Sequence, residues 1–340
     1  MRTFMSGDLK RTSTMLFCIR RHLSFALKHI TPRKAFNALV CLCEMQLKRA
    51  VLTSHPLYLR IDVCPYCNLH CPGCLLGGAA VSDGAPDRER KRMMKYELFK
   101  ESVADFVPYL IRANLYDEGE PLLNREIFRM IEFLSKRNVS TCVSSNFSFR
   151  ISDRTMEEIV SCGLEHLIVA VDGATRETYS RYRKGGNLDL VVSNIERLLK
   201  AKKKQGGRLK VEMQFIDFEN DEEERQAVSD LAQRLGVWRF AVIQGSSRDG
   251  WAGMRFIGSQ EERRRRGCYE LWISATINSE GEMYVCDYGE DHGAPSIGLG
   301  RDYLSGELRN HPTAVRMRRS FGDRSVPLDD VCKHCSVYRR

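Results

Sequence analysis

The chain has 340 residues, of which 43% are hydrophobic and 29% are charged, and these proportions are ordinary for a globular protein. Its length allows one large domain and a smaller one, and no apolar run approaches the roughly 20 residues that a membrane-spanning helix requires. The net charge of +9 is concentrated in residues 1–50, which hold ten Lys or Arg residues and two acidic residues. No GxGxxG motif or P-loop occurs, so an NAD or ATP enzyme has no support.

Residues 14–50 are predicted to be helical, because apolar side chains recur at spacings of three and four and Pro32 is suited to opening a second helix. We define residues 1–52 as a basic amphipathic helical segment. Its charge suits an anionic partner: a membrane surface, a phosphorylated substrate or nucleic acid. Either its apolar stripe lies in a membrane interface, or the stripe packs on the protein while the charges face water. Arg20 and Arg21 interrupt the first apolar stretch, so we expect a cytoplasmic protein without a secretory signal.

From residue 57 onward, predicted strands alternate with predicted helices. Residues 57–63 alternate apolar with polar side chains, and residues 166–171 are apolar almost throughout, as expected of a parallel strand buried on both faces. Further strands are predicted at residues 110–115, 141–145, 209–215 and 239–243. Helices are predicted near residues 94–107, 124–137, 153–162, 187–204 and 221–235. This alternation predicts an α/β fold in which a partial parallel (β/α)6 barrel spans residues 53–250.

The alternation stops after residue 250. Short strand-like pieces at residues 271–277 and 283–288 replace it, and a run of four arginines precedes them. We therefore predict a second, smaller domain over residues 262–340.

The first cysteine cluster, Cys67-x3-Cys71-x2-Cys74, directly follows the first predicted strand. Clustered thiolates in a reducing compartment are usually metal ligands and not a disulfide framework. Three thiolates at this spacing can hold three irons of a [4Fe–4S] cluster while the fourth iron stays open. A zinc knuckle with Cys64 as the fourth ligand is the alternative, although we treat Cys64 as a non-ligand.

Two further motifs lie at the ends of the next predicted strands. In the segment DEGEP, Gly119 allows close backbone approach, and the carboxylate of Glu120 can accept hydrogen bonds from a cation. In the segment TCVSSN, strand alternation places Ser144 and Asn146 on one face. A turn or a helix cap is the alternative for each. After the fourth strand, Arg183 can bind a carboxylate with its guanidinium or face solvent.

Together, these motifs resemble the radical SAM superfamily, in which the amino and carboxylate groups of S-adenosylmethionine (SAM) chelate the open iron. The resemblance covers residues 55–340. It implies that Cys67, Cys71 and Cys74 hold the cluster. The SAM-binding residues that it implies are Gly119, Glu120, Pro121, Ser144, Asn146 and Arg183.

A second set of cysteines, Cys268, Cys286, Cys332 and Cys335, lies in the predicted C-terminal domain. With Gly281 between the first two, this set resembles the SPASM and Twitch auxiliary-cluster domains of the superfamily. The resemblance implies one auxiliary [4Fe–4S] cluster with four protein thiolates. Structural zinc is the alternative, because four sulfur ligands suit either metal.

The resemblance implies an enzyme that cleaves SAM reductively and abstracts hydrogen from a substrate C–H bond, with flavodoxin or ferredoxin as the electron donor. We favour oxidation or epimerisation of a small molecule or glycan, with maturation of a ribosomal peptide as the alternative. A non-enzymatic zinc protein that binds nucleic acid through its basic N-terminus is a third interpretation, which the motifs disfavour.

Overall fold

The structure is a computed structural model, and it describes residues 25, 27–72, 74, 76, 92–217, 221–244, 268–286 and 294–335. The first part of the predicted helical segment, residues 1–24, and both ends of the predicted domain 262–340 lie outside the described residues. None of the described helices is long and apolar enough to cross a membrane.

Nine described strands form one sheet, in the order β6-β5-β4-β3-β2-β1-β7-β8-β9. The strands are β1 (Tyr58–Ile61), β2 (Arg112–Asn114), β3 (Ser140–Ser145), β4 (His166–Ala170), β5 (Lys210–Asp217), β6 (Arg239–Gln244), β7 (Ser274–Ile277), β8 (Glu282–Tyr284) and β9 (Gly298–Leu299). Strands β1 to β6 are neighbours in chain order and pair in parallel. The predicted α/β fold with six parallel strands is thereby confirmed.

Ten described helices accompany this sheet. They are α1 (Pro32–Gln46), α2 (Tyr96–Val103), α3 (Ile127–Ser135), α4 (Asp153–Ser161), α5 (Arg176–Tyr182), α6 (Leu188–Gln205), α7 (Glu222–Leu235), α8 (Glu270–Ile273), α9 (Pro312–Gly322) and α10 (Asp330–His334). Helices α2, α3, α4, α6 and α7 fall where periodicity predicts them. Helix α5 was not predicted, because only one of its seven residues, Tyr179, is buried and its apolar periodicity is too short to detect.

The C-terminal segment continues the same sheet. Strand β7 pairs in parallel with β1, and β8 and β9 extend the sheet in the antiparallel sense. The strand predicted at residues 271–277 is wrong in its first half, where α8 forms one helical turn and Ser274 ends it. Of the strand predicted at residues 283–288, β8 covers the first two residues, residues 285–286 are not part of a strand, and residues 287–288 lie outside the described residues.

The side chains of the parallel strands divide between two faces. Right-handed crossovers between neighbouring parallel strands place all their helices on one face, where the apolar residues pack. The opposite, concave face carries Arg112, Asn114, Cys142, His166 and Glu212, all of them buried. The imidazole Nδ1 of His166 lies 2.8 Å from Nη2 of Arg112, and its Nε2 lies 3.3 Å from Oε2 of Glu212. Arg112, His166 and Glu212 thus serve as polar partners for one another in the buried amino-terminal end of the barrel.

The N-terminal segment is attached to this end of the barrel. Phe25 is 1% exposed and stacks on the ring of His166, with 5.1 Å between ring centroids. In the following helix α1, however, the polar residues Lys34, Asn37 and Glu44 are buried, and Phe36 is exposed. The interpretation that the apolar stripe packs on the protein is therefore wrong for α1, because hydrogen bonds to the body hold the polar face inward.

Candidate active site

The loop that follows β1 carries the first cysteine cluster, and we refer to it as the cysteine loop. The amide of Glu120 donates to the carbonyl oxygen of Tyr66 at 2.7 Å, which joins the cysteine loop to the segment after β2. The amide of His70 donates to the carbonyl oxygen of Lys184 at 2.9 Å, which joins it to the segment after α5. Two parts of the chain that are distant in sequence from the cysteine loop therefore fix its position.

Hydrogen-bond donors surround the sulfur atoms of this loop. The Sγ atom of Cys67 lies 3.4 Å from the amide of Leu69 and 3.6 Å from the Nδ2 atom of Asn146. The Sγ atom of Cys71 lies 3.9 Å from Nη1 of Arg183. Donors to sulfur stabilise thiolate charge and tune iron–sulfur clusters. This donor set fits a cluster held by thiolates.

Cys67, Cys71 and Cys74 are free thiols and share one electrostatic environment. Burial raises the pKa of Cys67 to about 11, and the nearby thiols of Cys71 and Cys74 raise it further. Burial also raises the pKa of Cys71, although the charge of Arg183 opposes the shift. Metal ligation requires deprotonated thiols, so cluster assembly would release protons from buried groups.

Cys64 behaves differently from the other three cysteines of the loop. Its buried thiol donates to the carbonyl oxygen of Tyr66, with 3.4 Å between the sulfur and oxygen atoms. Burial raises its pKa to about 11 as well. This contact is internal to the cysteine loop, and the expectation that Cys64 is not a ligand stays a prediction.

The segment after β2 packs against the cysteine loop without any space for a side chain at Gly119. A Cβ atom there would lie 1.9 Å from the carbonyl oxygen of Cys64 and 2.6 Å from that of Tyr66. Pro121 begins a 3-10 turn, Pro121–Leu123, and Glu120 caps that turn. The backbone of this segment thus takes its position from direct contact with the cysteine loop.

Glu120 is 1% exposed, and backbone amides bind both of its carboxylate oxygens. The Oε2 atom accepts from the amide of Asn146 at 2.7 Å, and the Oε1 atom accepts from the amide of Leu122 at 3.1 Å. Burial raises the pKa of Glu120 to about 7, while hydrogen bonds from Asn146 and the Ser145 hydroxyl oppose that shift. Glu120 therefore joins the segment after β2 to the end of β3.

The end of β3 faces the cysteine loop through Asn146. Its Nδ2 atom donates to Oδ1 of Asn68 at 3.0 Å in addition to its contact with the sulfur of Cys67. Ser144 lies two residues earlier on the concave side of β3 and is half-buried. The structure thus brings Asn146 together with the cysteine loop and leaves Ser144 at its border.

Arg183 follows α5 and lies between Asp172 and the cysteine loop. Its Nε atom is 2.5 Å from Oδ2 of Asp172, whose Oδ1 accepts from the amide of Ile216 at 2.7 Å. Burial opposes the charge of Arg183, but Asp172 and the Cys71 thiol outweigh it and raise the pKa of Arg183 well above its ordinary value. Asp172 therefore orients a permanent positive charge towards the sulfur of Cys71 in the cysteine loop.

Sequence reasoning missed the polar residues on the concave face below the cysteine loop. Arg60 pairs with Asp117 at 3.2 Å, and Asn114 hydrogen-bonds the hydroxyls of Tyr58 and Tyr116. The sequence of β1 gives one indication of these residues, because Arg60 lies between the apolar residues Leu59 and Ile61. Strand alternation alone explains a polar residue at that position, so the sequence does not identify a binding surface there.

The four C-terminal cysteines are not joined in disulfides and lie on or beside short elements of the last segment. Cys268 precedes α8, Cys286 follows β8, and Cys332 and Cys335 lie in and after α10. Burial raises the pKa of Cys332 to about 12, with added contributions from Asp329 and Cys335. Among the described residues, no three His, Cys, Asp or Glu side chains lie close enough together to hold a single metal ion.

The central part of the chain matches the model of a protein superfamily. The model of the Radical SAM superfamily matches residues 61–231, which is half of the chain. The matched region begins in β1 and ends in α7, and it contains all the segments that surround the cysteine loop.

The chain also matches curated proteins at low sequence identity. A GTP 3′,8-cyclase of Clostridium botulinum is 25% identical over 142 residues, which cover 42% of this chain and 43% of the relative. A GTP 3′,8-cyclase of Peptoclostridium acidaminophilum is 24% identical over 230 residues, which cover 67% of this chain and 68% of the relative. The chain thus spans less than half the length of the first of these relatives.

Solved structures show the same fold at low identity. Streptococcus suis SuiB has a TM-score of 0.63 at 13% identity, and the match covers 90% of this chain and 77% of SuiB. A tagged form of anSMEcpe with bound AdoMet has a TM-score of 0.54 at 15% identity, and the match covers 84% of this chain and 87% of that one. These likenesses support the partial barrel.

Proposed function

The chain belongs to the radical SAM superfamily, and on this premise we propose that Cys67, Cys71 and Cys74 hold its catalytic [4Fe–4S] cluster beside bound SAM. The observation that carries this proposal is the set of donors around the sulfurs of the cysteine loop. When bound, such a cluster would supply the electron that cleaves a C–S bond of SAM, with methionine as the leaving group, and so make possible the abstraction of hydrogen from a substrate C–H bond. The protein supplies the binding, the orientation and the exclusion of water.

We assign the SAM contacts to the residues that border the cysteine loop. The Nε atom of Arg183 is held by Asp172, and Nη1 lies near the sulfur of Cys71, so the guanidinium is already oriented to bind the SAM carboxylate. The backbone of Gly119, Glu120 and Pro121 lies against the loop, and we assign the SAM ammonium to this segment. Ser144 and Asn146 border the same space.

We propose that the substrate is a polar small molecule or a glycan and that it undergoes oxidation or epimerisation. The support is the concave face, where Arg60, Asp117, Asn114 and two tyrosines present charged and hydroxyl groups below the cysteine loop. Groups of this kind orient hydroxylated ligands through hydrogen bonds. A release of deoxyadenosine that depends on peptides and not on sugars would instead indicate peptide maturation.

A second proposal concerns an auxiliary [4Fe–4S] cluster of the Twitch type on Cys268, Cys286, Cys332 and Cys335. Its support is the chemistry of four cysteine side chains in the C-terminal segment, since thiolates are the usual protein ligands of such clusters. Gly281 adds to this support, because it adopts a φ of +84° in the turn between β7 and β8, and Cys286 follows β8. Four protein thiolates would close this cluster to substrate and leave it to transfer electrons.

We further propose that the protein works in the cytoplasm with flavodoxin or ferredoxin as its one-electron donor. The support is that none of the described cysteines is joined in a disulfide, which suits a reducing compartment.

Iron counting tests both cluster proposals. The anaerobically reconstituted protein should bind about eight irons. Joint replacement of Cys67, Cys71 and Cys74 with alanine should leave about four, as should joint replacement of the four C-terminal cysteines. Unchanged iron after either replacement would refute the corresponding assignment, and a colourless protein that contains zinc would refute both.

A further inference from the structure

Helix α1 is inverted relative to the usual surface helix of a globular protein. Such helices bury an apolar stripe and expose their polar side. In α1 the polar residues Asn37 and Glu44 are buried, whereas Phe36 is 70% exposed and Leu39 is 60% exposed. The hydrophobic effect acting within this chain alone does not explain that orientation.

Specific hydrogen bonds hold the polar side of α1 against the body. The side chain of Asn37 exchanges two hydrogen bonds with the backbone of His55, at 3.0 Å and 2.8 Å. The carboxylate of Glu44 accepts from the amide and hydroxyl of Thr53 and from those of Ser54, at 2.6 to 3.1 Å. A rotation of the helix would leave these buried groups without partners, so its outward face is fixed.

The outward face is continuous and apolar. Along α1, the side chains of Phe36, Leu39 and Leu42 follow one another at spacings of three, and Leu47 continues the stripe beyond the helix. Val51 is also exposed in the segment that follows. We call these five side chains the outer face of α1. A set of large exposed apolar side chains on one element usually marks a contact surface.

The exposed charges in the chain segment that carries the outer face are all positive. Lys28 is exposed in the segment before α1, and Arg33 is exposed in the first turn of α1. Lys48 and Arg49 are exposed just after its end. Glu44 is the single acidic residue between positions 27 and 51, and its hydrogen bonds hold it on the buried side. An interfacial helix lies parallel to the bilayer surface with its apolar side chains below the headgroups. Basic residues at both ends of its apolar stripe can then interact with anionic headgroups.

We propose that the outer face of α1 binds the surface of an anionic lipid bilayer and holds the enzyme there as a peripheral membrane protein. The apolar side chains enter the boundary between headgroups and acyl chains, and the flanking bases pair with lipid phosphates. The buried hydrogen bonds of Asn37 and Glu44 transmit this anchoring to the barrel, because they fix the helix rigidly to the body. This proposal is independent of the reaction that the cysteine loop supports.

Co-sedimentation of the full chain with vesicles tests the proposal. Vesicles of phosphatidylcholine that also contain phosphatidylglycerol should sediment the wild-type protein, and the bound fraction should fall as salt rises. Vesicles of phosphatidylcholine alone should sediment much less of it. The double variant Phe36→Ser and Leu39→Ser should bind anionic vesicles about tenfold more weakly or worse. Its melting temperature and iron content should equal those of the wild type, because both side chains are exposed.

Leu304→Ser is the matched control. Leu304 is 49% exposed and lies outside α1, so its replacement should leave vesicle binding unchanged. Equal binding by the double variant and the wild type would show that the basic segment alone binds lipid and would overturn the proposal. Absence of wild-type binding to anionic vesicles would overturn it as well. A third result would also overturn the proposal: the wild type binds no vesicles but self-associates, and the double variant does not self-associate. That result would assign the outer face to contact with a second copy of the chain.

Discussion

Replacement of Glu120 with alanine removes a carboxylate that joins the segment after β2 to the end of β3. The side chain is 1% exposed, and its oxygens accept from the amides of Asn146 and Leu122. A buried amide that loses its acceptor costs about 1–3 kcal/mol, so two such amides predict a loss of about 2–6 kcal/mol in the free energy of unfolding. At roughly 2 °C per kcal/mol for a chain of this size, the melting temperature should fall by about 4–12 °C.

The same substitution should reduce the iron held by the cysteine loop, because the backbone amide of Asn146 loses its acceptor while the side-chain amide of that residue contacts the sulfur of Cys67. Thermal unfolding and iron content of the anaerobic protein are the measurements. Glu44→Ala is the control, since it removes a buried carboxylate with four donors far from the loop and should destabilise the protein without loss of iron. If Glu120→Ala keeps both its melting temperature and its iron but binds SAM about ten- to a hundredfold more weakly, Glu120 binds the SAM ammonium and does not brace the loop.

Three further predictions concern single residues. Gly119→Ala should abolish iron binding at the cysteine loop, because the new Cβ would lie 1.9 Å from a backbone oxygen, whereas Gly206→Ala, with open space around it, should keep full iron. Phe25→Ala should destabilise the protein by about 3–5 kcal/mol in urea unfolding, whereas the exposed Phe36→Ala should change stability by less than about 0.5 kcal/mol. Burial and then the charge of Arg309 lower the pKa of His55 from 6.5 to about 4, so the unfolded chain binds the extra proton between these two pH values. Stability should therefore fall by about 2 kcal/mol as the pH falls over that range, and His55→Gln should lose this pH dependence. Equal iron in both glycine variants, equal stability of both phenylalanine variants, or a pH profile unaffected by His55→Gln would contradict the respective prediction.

Strands and long helices were predictable because their signals are local. The six parallel strands lie within two or three residues of their predicted positions, since a strand buried on both faces or alternating in polarity carries its own pattern. Helix α8 was missed because Leu271, Trp272 and Ile273 form an apolar run too short to distinguish a helix from a strand. Helix periodicity also identified the apolar stripe of α1 without showing which side faces the body. That side depends on Asn37 and Glu44, whose partners at residues 53–55 lie beyond a turn in the chain.

The candidate site was predictable in its segments and not in its contacts. Motif spacing identified the cysteine loop, Glu120 and Arg183, and the structure places all three around one space. The amide partners of Glu120 and the pairing of Arg183 with Asp172 depend on tertiary approach, which no spacing reveals. Motif reasoning assigned Glu120 to SAM, and the geometry adds a structural role because both oxygens already have donors.

Reductive cleavage of SAM tests the central claim most directly. Anaerobic protein with a full complement of iron, reduced with dithionite and supplied with SAM, should release 5′-deoxyadenosine and methionine in equal amounts. Joint replacement of Cys67, Cys71 and Cys74 with alanine should abolish the release, whereas Cys64→Ala in the same loop should retain it because that thiol donates to Tyr66. Release by the triple variant at the wild-type rate, or no release by fully loaded wild-type protein, would contradict the assignment.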